Sequence, residues 1–404
     1  MPQYKTPQLR FPEFSGLWEN KKLGDVGKVS MCKRILKEQT SVIGEVPFYK
    51  IGTFGKVADA FIDRKIYDDF KNKYPFPNNG DILISAAGTI GRTVIFDGEP
   101  AYFQDSNIVW IANNENKIIN SFLYQIYLRI KWTTENTTIP RLYNDNIRNF
   151  NINFPTLSEQ QKIASFLSAA DKKIEQLQHK KKLLEQYKKG MMQKLFSQQV
   201  RFKDDNNKEF PEWEEKELGG VGNTFNGLTG KTKENFGKGK PYIQYKQIFD
   251  SSIININGCG LVDVLANESQ NKVQYGDVFF TTSSETPNEI GTSSVLLTEV
   301  SEMYVNSFCF GYRPVIAMLN PVFAQFLFRS PKFRKEIVKL AQGSTRYNMS
   351  KVELLKLIVN LPSIKEQTKI ANLLTAIDAK INAVSGQLDK AKEFKKGLLQ
   401  QMFV

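Results

Sequence analysis

Histidine occurs once and cysteine three times in 404 residues, and no uninterrupted apolar run approaches the roughly 18 residues of a membrane-spanning helix. The single histidine, His179, stands in a lysine-rich stretch and reads as an exposed helix residue, not a catalytic base. Cys32, Cys259 and Cys309 are far apart and without paired spacing, which argues against a zinc site or a disulfide framework. Each reads as a small buried hydrophobe. Gly227-Leu228-Thr229-Gly230-Lys231-Thr232 imitates a phosphate loop, but its first glycine would have to stand at Phe225, and no helix is expected after Thr232. Asn320-Pro321-Val322-Phe323 is one proline short of an amino-methyltransferase signature. Acidic pairs are no more clustered than chance would place them. The amino-terminal segment has no signal-peptide apolar core, so a soluble cytoplasmic protein without a membrane partner is expected.

What the chain does have is a repeat. Residues 155–196 and 362–403 align without a gap at an offset of 207, with 16 of 42 positions identical. The shared letters include Pro155/Pro362, Glu159-Gln160/Glu366-Gln367, Lys162-Ile163-Ala164/Lys369-Ile370-Ala371, Asp171/Asp378 and Lys188-Lys189-Gly190/Lys395-Lys396-Gly397. The starts of the halves also match, Phe11-Pro12-Glu13 and Trp18 through Leu23 against Phe210-Pro211-Glu212 and Trp213 through Leu218. Between these bookends little similarity survives: Gly80-Asp81-Ile82 against Gly276-Asp277-Val278, and Arg141-Leu142-Tyr143 near the position of Arg346-Tyr347-Asn348. A unit this long, occurring twice, is a duplicated domain plus helix and not a solenoid.

Within the repeat, Ile370, Leu374, Ile377, Ile381, Val384, Leu388, Ala391, Leu398 and Met402 step by three and four with Lys395 interrupting. Ile163, Leu167, Ala170, Ile174, Leu177, Leu184, Met191 and Leu195 hold the same register, broken by Lys181 and Lys188. A heptad seam buries one stripe against a partner helix, and the economical partner for each copy is the other, packed antiparallel. Ser158 and Ser363 are expected caps. Of the formal net charge of +13, residues 155–200 and 362–404 carry +8, which suits either a solvated lysine face or a polyanion.

Both middles mix helix and strand. Asp81 to Ser85 and Thr93 to Phe96 flank Gly88 and Gly91, as Asp277 to Thr281 and Ser294 to Leu297 flank Gly291, and each pair reads as strands around a turn. Phe122 to Ile130 and Val322 to Phe328 read as short amphipathic helices. With 41% hydrophobic and 12% aromatic residues, the chain has room for full cores. The expected class is α+β: two globular mixed α/β domains at 1–154 and 201–361, joined by long helices at 155–200 and 362–404 that pack as an antiparallel coiled coil in a pseudo-two-fold repeat.

Across its length the chain resembles the DNA-specificity subunit of type I restriction-modification systems. The resemblance rests on the two-fold arrangement, the Pro-x-x-x-Glu-Gln-x-Lys-Ile-Ala openings at Pro155 and Pro362, and the Trp-x-x-x-x-Leu openings at Trp18 and Trp213. Gly343-Ser344-Thr345 leading into Asn348 adds to it, although the first half has Thr137-Thr138-Ile139 instead. The resemblance implies a non-catalytic reader of a bipartite, asymmetric site in double-stranded DNA, with one target-recognition domain per half-site and a helical spacer setting the gap. It implies two modification subunits bringing S-adenosylmethionine and adenine methylation, and restriction subunits bringing ATP, Mg and cleavage, with no cofactor, metal or catalytic residue in this chain. A stand-alone nuclease or methyltransferase, and a coiled-coil nucleic-acid-binding scaffold without a restriction-modification role, are the competing classes.

Base-edge and phosphate contacts call for polar, basic and aromatic side chains beside glycine turns, where small neighbours permit close approach. The candidates are Lys50, Gly52, Lys56, Ser85, Gly88, Thr89, Arg92, Gln104, Asn107, Arg141 and Tyr143 in the first half. In the second they are Gln244, Tyr245, Lys246, Thr282, Ser283, Ser284, Thr286, Thr345, Arg346, Tyr347 and Asn348.

Overall fold

The computed structural model describes residues 6–132 and 141–404; Thr137-Thr138-Ile139 lies outside the described residues. The chain divides into two compact units, one built from the chain up to Gln178 together with Gly386–Val404, the other from His179–Ser385.

At the centre of the first unit is an antiparallel sheet in the order Gly27–Ser30, Ile108–Asn113, Ile82–Ser85, Thr93–Ile95. Side chains alternate across a strand, so Ile82 and Ile84 join Phe122 and Ile163 on one face. Leu83 and Trp110 join Phe48 and Tyr102 on the other. Burying each such side chain contributes about 1.5–3 kcal/mol, which is why this strand reads as a continuous apolar run. A second sheet runs Thr40–Ser41, Phe61–Ile62, Val46–Tyr49, Tyr102–Phe103, its last pair parallel.

The second unit repeats the plan. Its main sheet is ordered Gly222–Asn226, Cys309–Pro314, Val278–Thr281, Ser293–Val295, and the smaller one Gly260–Val262, Phe236–Ile243, Tyr304–Val305. Tyr242 pairs in parallel with Tyr304 as Phe48 does with Tyr102. The expected short helices are Asn120–Tyr127 and Pro321–Leu327. Asn320 caps the latter, its Oδ1 accepting from the Val322 and Phe323 amides with Pro321 at the first helical position. That is what the Asn-Pro-Val-Phe segment does here.

The duplicated openings are structural anchors. Strand Glu19–Lys22 pairs with Asn151–Phe154 and strand Glu214–Glu217 with Ile358–Leu361, seating Trp18, Leu23, Trp213 and Leu218 in the cores. The Glu-Gln pair of each helix opening is buried and fully engaged. Gln160 Oε1 accepts from the Ile119 amide at 2.9 Å, and its Nε2 donates to the Lys117 and Pro155 carbonyls at 2.9 and 2.8 Å. Gln367 does the same with Asn320, Met318 and Pro362 at 2.8, 3.0 and 2.9 Å. Arg10 grips Glu159 through two 2.7 Å bonds, and Arg201 grips Glu366, which also accepts from Trp213 Nε1.

The long helices span Leu157–Phe196 and Ile364–Gln401. In the first unit Ile163 and Leu167 cluster with Leu398 and Met402; in the second, Leu195 and Phe196 cluster with Ile370, Leu374 and Ile377. Early turns of one helix therefore meet late turns of the other, the antiparallel arrangement expected. The polar interruptions are ion pairs across the seam: Lys188 with Asp378 at 2.6 Å, and Lys395 with Asp171. Lys181 instead reaches Glu185 on its own helix, at 3.9 Å. Ser363 Oγ accepts from the Glu366 amide as expected. Ser158 does not occupy the cap, because the first helix already begins at Leu157 and Thr156 precedes it.

Candidate nucleic-acid interface

Beyond the main-sheet strand Ile82–Ser85 the backbone turns back on itself, and the second unit, whose turn is four residues longer, repeats four of its backbone bonds. The Ser85 amide donates to Arg92 O at 2.9 Å and the Gly91 amide to Ser85 O at 2.9 Å; equivalently, the Thr281 amide donates to Thr292 O at 3.0 Å and the Gly291 amide to Thr281 O at 3.2 Å. Gly91 and Gly291 hold φ of 81° and 59°, a region that favours glycine. Next, the Ala86 amide donates to Asn107 O and the Leu142 amide to Ala86 O. In the second unit the Thr282 amide donates to Phe308 O and the Met349 amide to Thr282 O. The pattern makes Ser85 equivalent to Thr281, Ala86 to Thr282 and Arg141 to Asn348. Arg141 is thus two positions removed from the match with Arg346 that the sequence suggests.

In the first unit four of the eleven expected residues, Lys50, Gln104, Asn107 and Arg141, line a depression of about 570 Å³. Gln104 accepts from the Ile51 amide at 2.9 Å, and Arg141 donates to Ser106 O at 3.3 Å. Arg92 reaches across to Phe54 O at 2.8 Å, tying the loop of Gly52 and Lys56 to the turn of Gly88 and Thr89. Lys50 is paired with Asp59 at 2.8 Å. Gly52, Lys56, Gly88, Thr89 and Tyr143 are exposed. Ser85 is buried and its hydroxyl is spent inside the turn, donating to Thr89 O and accepting from the Arg92 amide. Its role in the geometry is to shape the turn. Arg34 and Lys37 also line the depression; the basic run from Lys33 to Lys37 ahead of an apolar strand was the available signal.

The second unit builds its cluster differently. Ser283 and Ser284 pair with Asn348 and Tyr347 as two short strands, and the Tyr245 hydroxyl donates to Ser283 O at 2.8 Å. Ser284 Oγ donates to Glu289 at 3.0 Å and accepts from the Thr286 amide at 3.2 Å. Both serines are buried, whereas Gln244, Lys246, Thr286, Thr345, Arg346 and Asn348 are exposed and Thr282, Tyr245 and Tyr347 half-buried. Lys246 pairs with Asp250 at 2.7 Å. Burial raises the Tyr245 phenol above its ordinary value, so it stays a hydroxyl donor at neutral pH.

Two arginines that sequence reasoning passed over hold this region from beneath. Arg334 donates to the carbonyls of Gly291, Asn288 and Ile290 at 2.8, 2.9 and 2.7 Å. Arg329 donates to Ser293 and Ser251 at 2.7 Å each and to Ile248 at 2.9 Å. Carbonyls in place of a carboxylate leave the Arg329 charge desolvated, and burial pushes its guanidinium down to about 10.

Lys231 of the phosphate-loop imitation is consumed by Glu268 and Asp263 O. Cys32 and Cys309 are buried thiols pushed up to about 12, and Cys259 is half-buried. Among the described residues, no group of three or more histidine, cysteine or acidic residues could hold a metal ion, and no helix is long and apolar enough to cross a membrane.

The family model for the type I restriction modification DNA specificity domain matches residues 16–186 and again 211–393. A Haemophilus influenzae protein named as a type I restriction enzyme specificity subunit is 55% identical over 165 residues, spanning 41% of this chain but only 42% of that relative's length. Two Methanocaldococcus jannaschii specificity subunits align more completely. One is 26% identical over 95% of this chain and 92% of its own; the other is 24% identical over 81% and 79%. Among solved structures, the S subunit of a type I restriction-modification system from M. genitalium superposes with a TM-score of 0.60 at 16% identity over 99% of both chains. A chain from a structure of type I complex assembly gives 0.54 at 15% identity over 96% and 97%. At such identities the likeness shows the fold.

Proposed function

The chain belongs to the family of the type I restriction-modification DNA specificity domain, of which it carries two copies, and on that footing we propose that it is the sequence-reading subunit of a type I restriction-modification complex. Each unit reads one half of a bipartite, asymmetric site in double-stranded DNA, and the paired helices set the gap. The observation that carries this reading is the shared turn ladder with different side chains mounted on it. Arg92, Gln104 and Arg141 stand on one copy, and Thr286, Arg346 and Asn348 on the other. One backbone frame with two polar surfaces fits two unlike base sequences, since base edges are read by side-chain donors and acceptors while phosphate contacts fix register. The net positive charge of +13 supplies the sequence-independent attraction.

In this reading two modification subunits provide S-adenosylmethionine and adenine methylation, and restriction subunits provide ATP- and Mg-dependent cleavage. This chain contributes recognition and no catalytic group. The test is methylation sequencing of cells that express the chain with its modification subunit, with and without replacement of residues 27–148 by the segment of a relative. A bipartite methylated motif that changes in one half only is expected. No methylated motif, or a change in both halves, overturns the reading and favours a nucleic-acid-binding scaffold.

A further inference from the structure

Just after Thr40, which lines the first unit's basic depression, the tight turn that follows strand Thr40–Ser41 presents Val42 and Ile43 to solvent, 81% and 86% exposed. Two adjacent aliphatic side chains held almost fully in water contribute nothing to the fold. The turn is nonetheless locked. Ser41 Oγ donates to Ile43 O at 2.6 Å. Gly44 lies so close to Phe61 that a Cβ there would approach the Phe61 Cβ to 2.7 Å, which rules out a larger residue at that corner. Thr40, at the base of the turn, lines the depression, whose ionisable lining is Arg34, Lys37, Lys50 and Arg141 against Asp105. Such a lining suits a polyanion, and the Val42-Ile43 tip follows its residue Thr40 by two and three positions in the chain.

The second unit has a different tip at the equivalent place. Ile62 faces both Thr40 and Val46, and Val262 faces both Phe236 and Lys240. The segment between is therefore 41–45 in one unit and 237–239 in the other, where the sequence is Gly-Lys-Gly and Lys238 is exposed. One copy carries an apolar tip and the other a cation.

We propose that Val42 and Ile43 form an apolar reading tip that packs on the C5-methyl group of a thymine in the major groove, and so select thymine within the half-site of the first unit. This rests on the DNA-reading function proposed above. A thymine methyl is the one apolar group that a base pair offers in that groove, and it is sensed by apolar contact, not by a hydrogen bond. A locked turn keeps the ordering cost of the contact low.

The test uses the full chain with its modification subunits and duplexes carrying the methylated motif, in which each thymine of the first half-site is replaced singly by deoxyuridine. That change removes one methyl and leaves base pairing intact. One position is expected to weaken wild-type binding by about fourfold, the equivalent of one buried methyl at about 0.8 kcal/mol. Ile43→Ala should weaken binding to the thymine duplex and be indifferent to the deoxyuridine change, so that the double change costs no more than Ile43→Ala alone. Uniform tolerance of deoxyuridine, strictly additive losses, or a first half-site without thymine overturns the tip while leaving the DNA-reading function standing. Loss of subunit assembly with intact DNA binding in Ile43→Ala also overturns it, by assigning the tip to a protein partner. Absence of any sequence-selective binding by the wild-type complex would instead strike the function proposed above.

Discussion

Lys188 of the first long helix lies 2.6 Å from Asp378 of the second, and the repeat maps this pair onto Lys395 and Asp171, which also pair. Duplication of one helix has thus produced two reciprocal ion pairs across a mainly apolar seam. A polar residue at a seam position lowers stability but fixes register, because any slipped alignment strands a charge among hydrophobes.

Exchanging the pair tests that role. Lys188→Asp alone should destabilise the second unit by setting two carboxylates together, and adding Asp378→Lys should restore most of the loss. A double-mutant cycle by thermal unfolding should give a coupling of about 0.5–1 kcal/mol, since both side chains are roughly a quarter exposed.

Gln160→Ala removes the partner of the Ile119 amide and of two carbonyls at once. The expected loss is on the order of 1–3 kcal/mol. Hydrogen exchange should show it in the first unit, with the second unit protected as before, and Gln367→Ala should reverse the pattern. Equal loss in both units from either change would contradict separate clamps.

Arg346→Ala should weaken binding of the cognate site, because the side chain is exposed on the turn leading into Tyr347 and Asn348. A guanidinium gripping a guanine edge contributes about 1–3 kcal/mol of discrimination, so preference should relax at one base pair. A uniform loss with a shallower salt dependence assigns it to a phosphate instead, and unchanged binding rejects both contacts.

Glu302 accepts from Lys240, Tyr304 and Lys272 at 2.8, 2.9 and 3.2 Å, and these donors, Lys240 foremost, hold its carboxyl down at about 2. A carboxyl lowered in the folded state stabilises that state above its unfolded value and loses the contribution as pH falls towards the folded one. Unfolding temperatures measured from pH 5 down to pH 3 should therefore drop less steeply in Glu302→Gln than in the parent. Parallel curves would show that this cluster does not sense acid.

Inserting four residues after Lys182 lengthens the first helix by about 6 Å, close to two base-pair steps, and rotates the seam by a stutter. If the helices set the gap, the methylated motif should keep both half-sites and gain one or two base pairs between them. An unchanged gap with full methylation would take that role away from the helices.

The long helices and their antiparallel packing were legible because heptad spacing and a gapless repeat both survive in the side chains. The recognition turns were legible only in outline. Gly91 and Gly291 mark the turn because its backbone favours glycine there, but the ladder through Ala86, Thr282, Leu142 and Met349 uses amides and carbonyls, which any residue but proline supplies. That is why the sequence sets Arg141 near Arg346 on shared chemistry while the backbone equates it with Asn348. Arg329 and Arg334 escaped notice for a related reason: their partners are carbonyls 36 to 81 residues away, with no acidic residue to betray them.

The split composition of the first unit has a consequence for biosynthesis. Its core needs Leu398, Met402 and Phe403 from the distant second helix, while the second unit is the continuous stretch His179–Ser385. Domains emerging from a ribosome ordinarily fold in the order they are made. Here residues 18–178 must wait with an apolar face open until more than two hundred further residues have been added, and the half that is synthesised first is the half completed last.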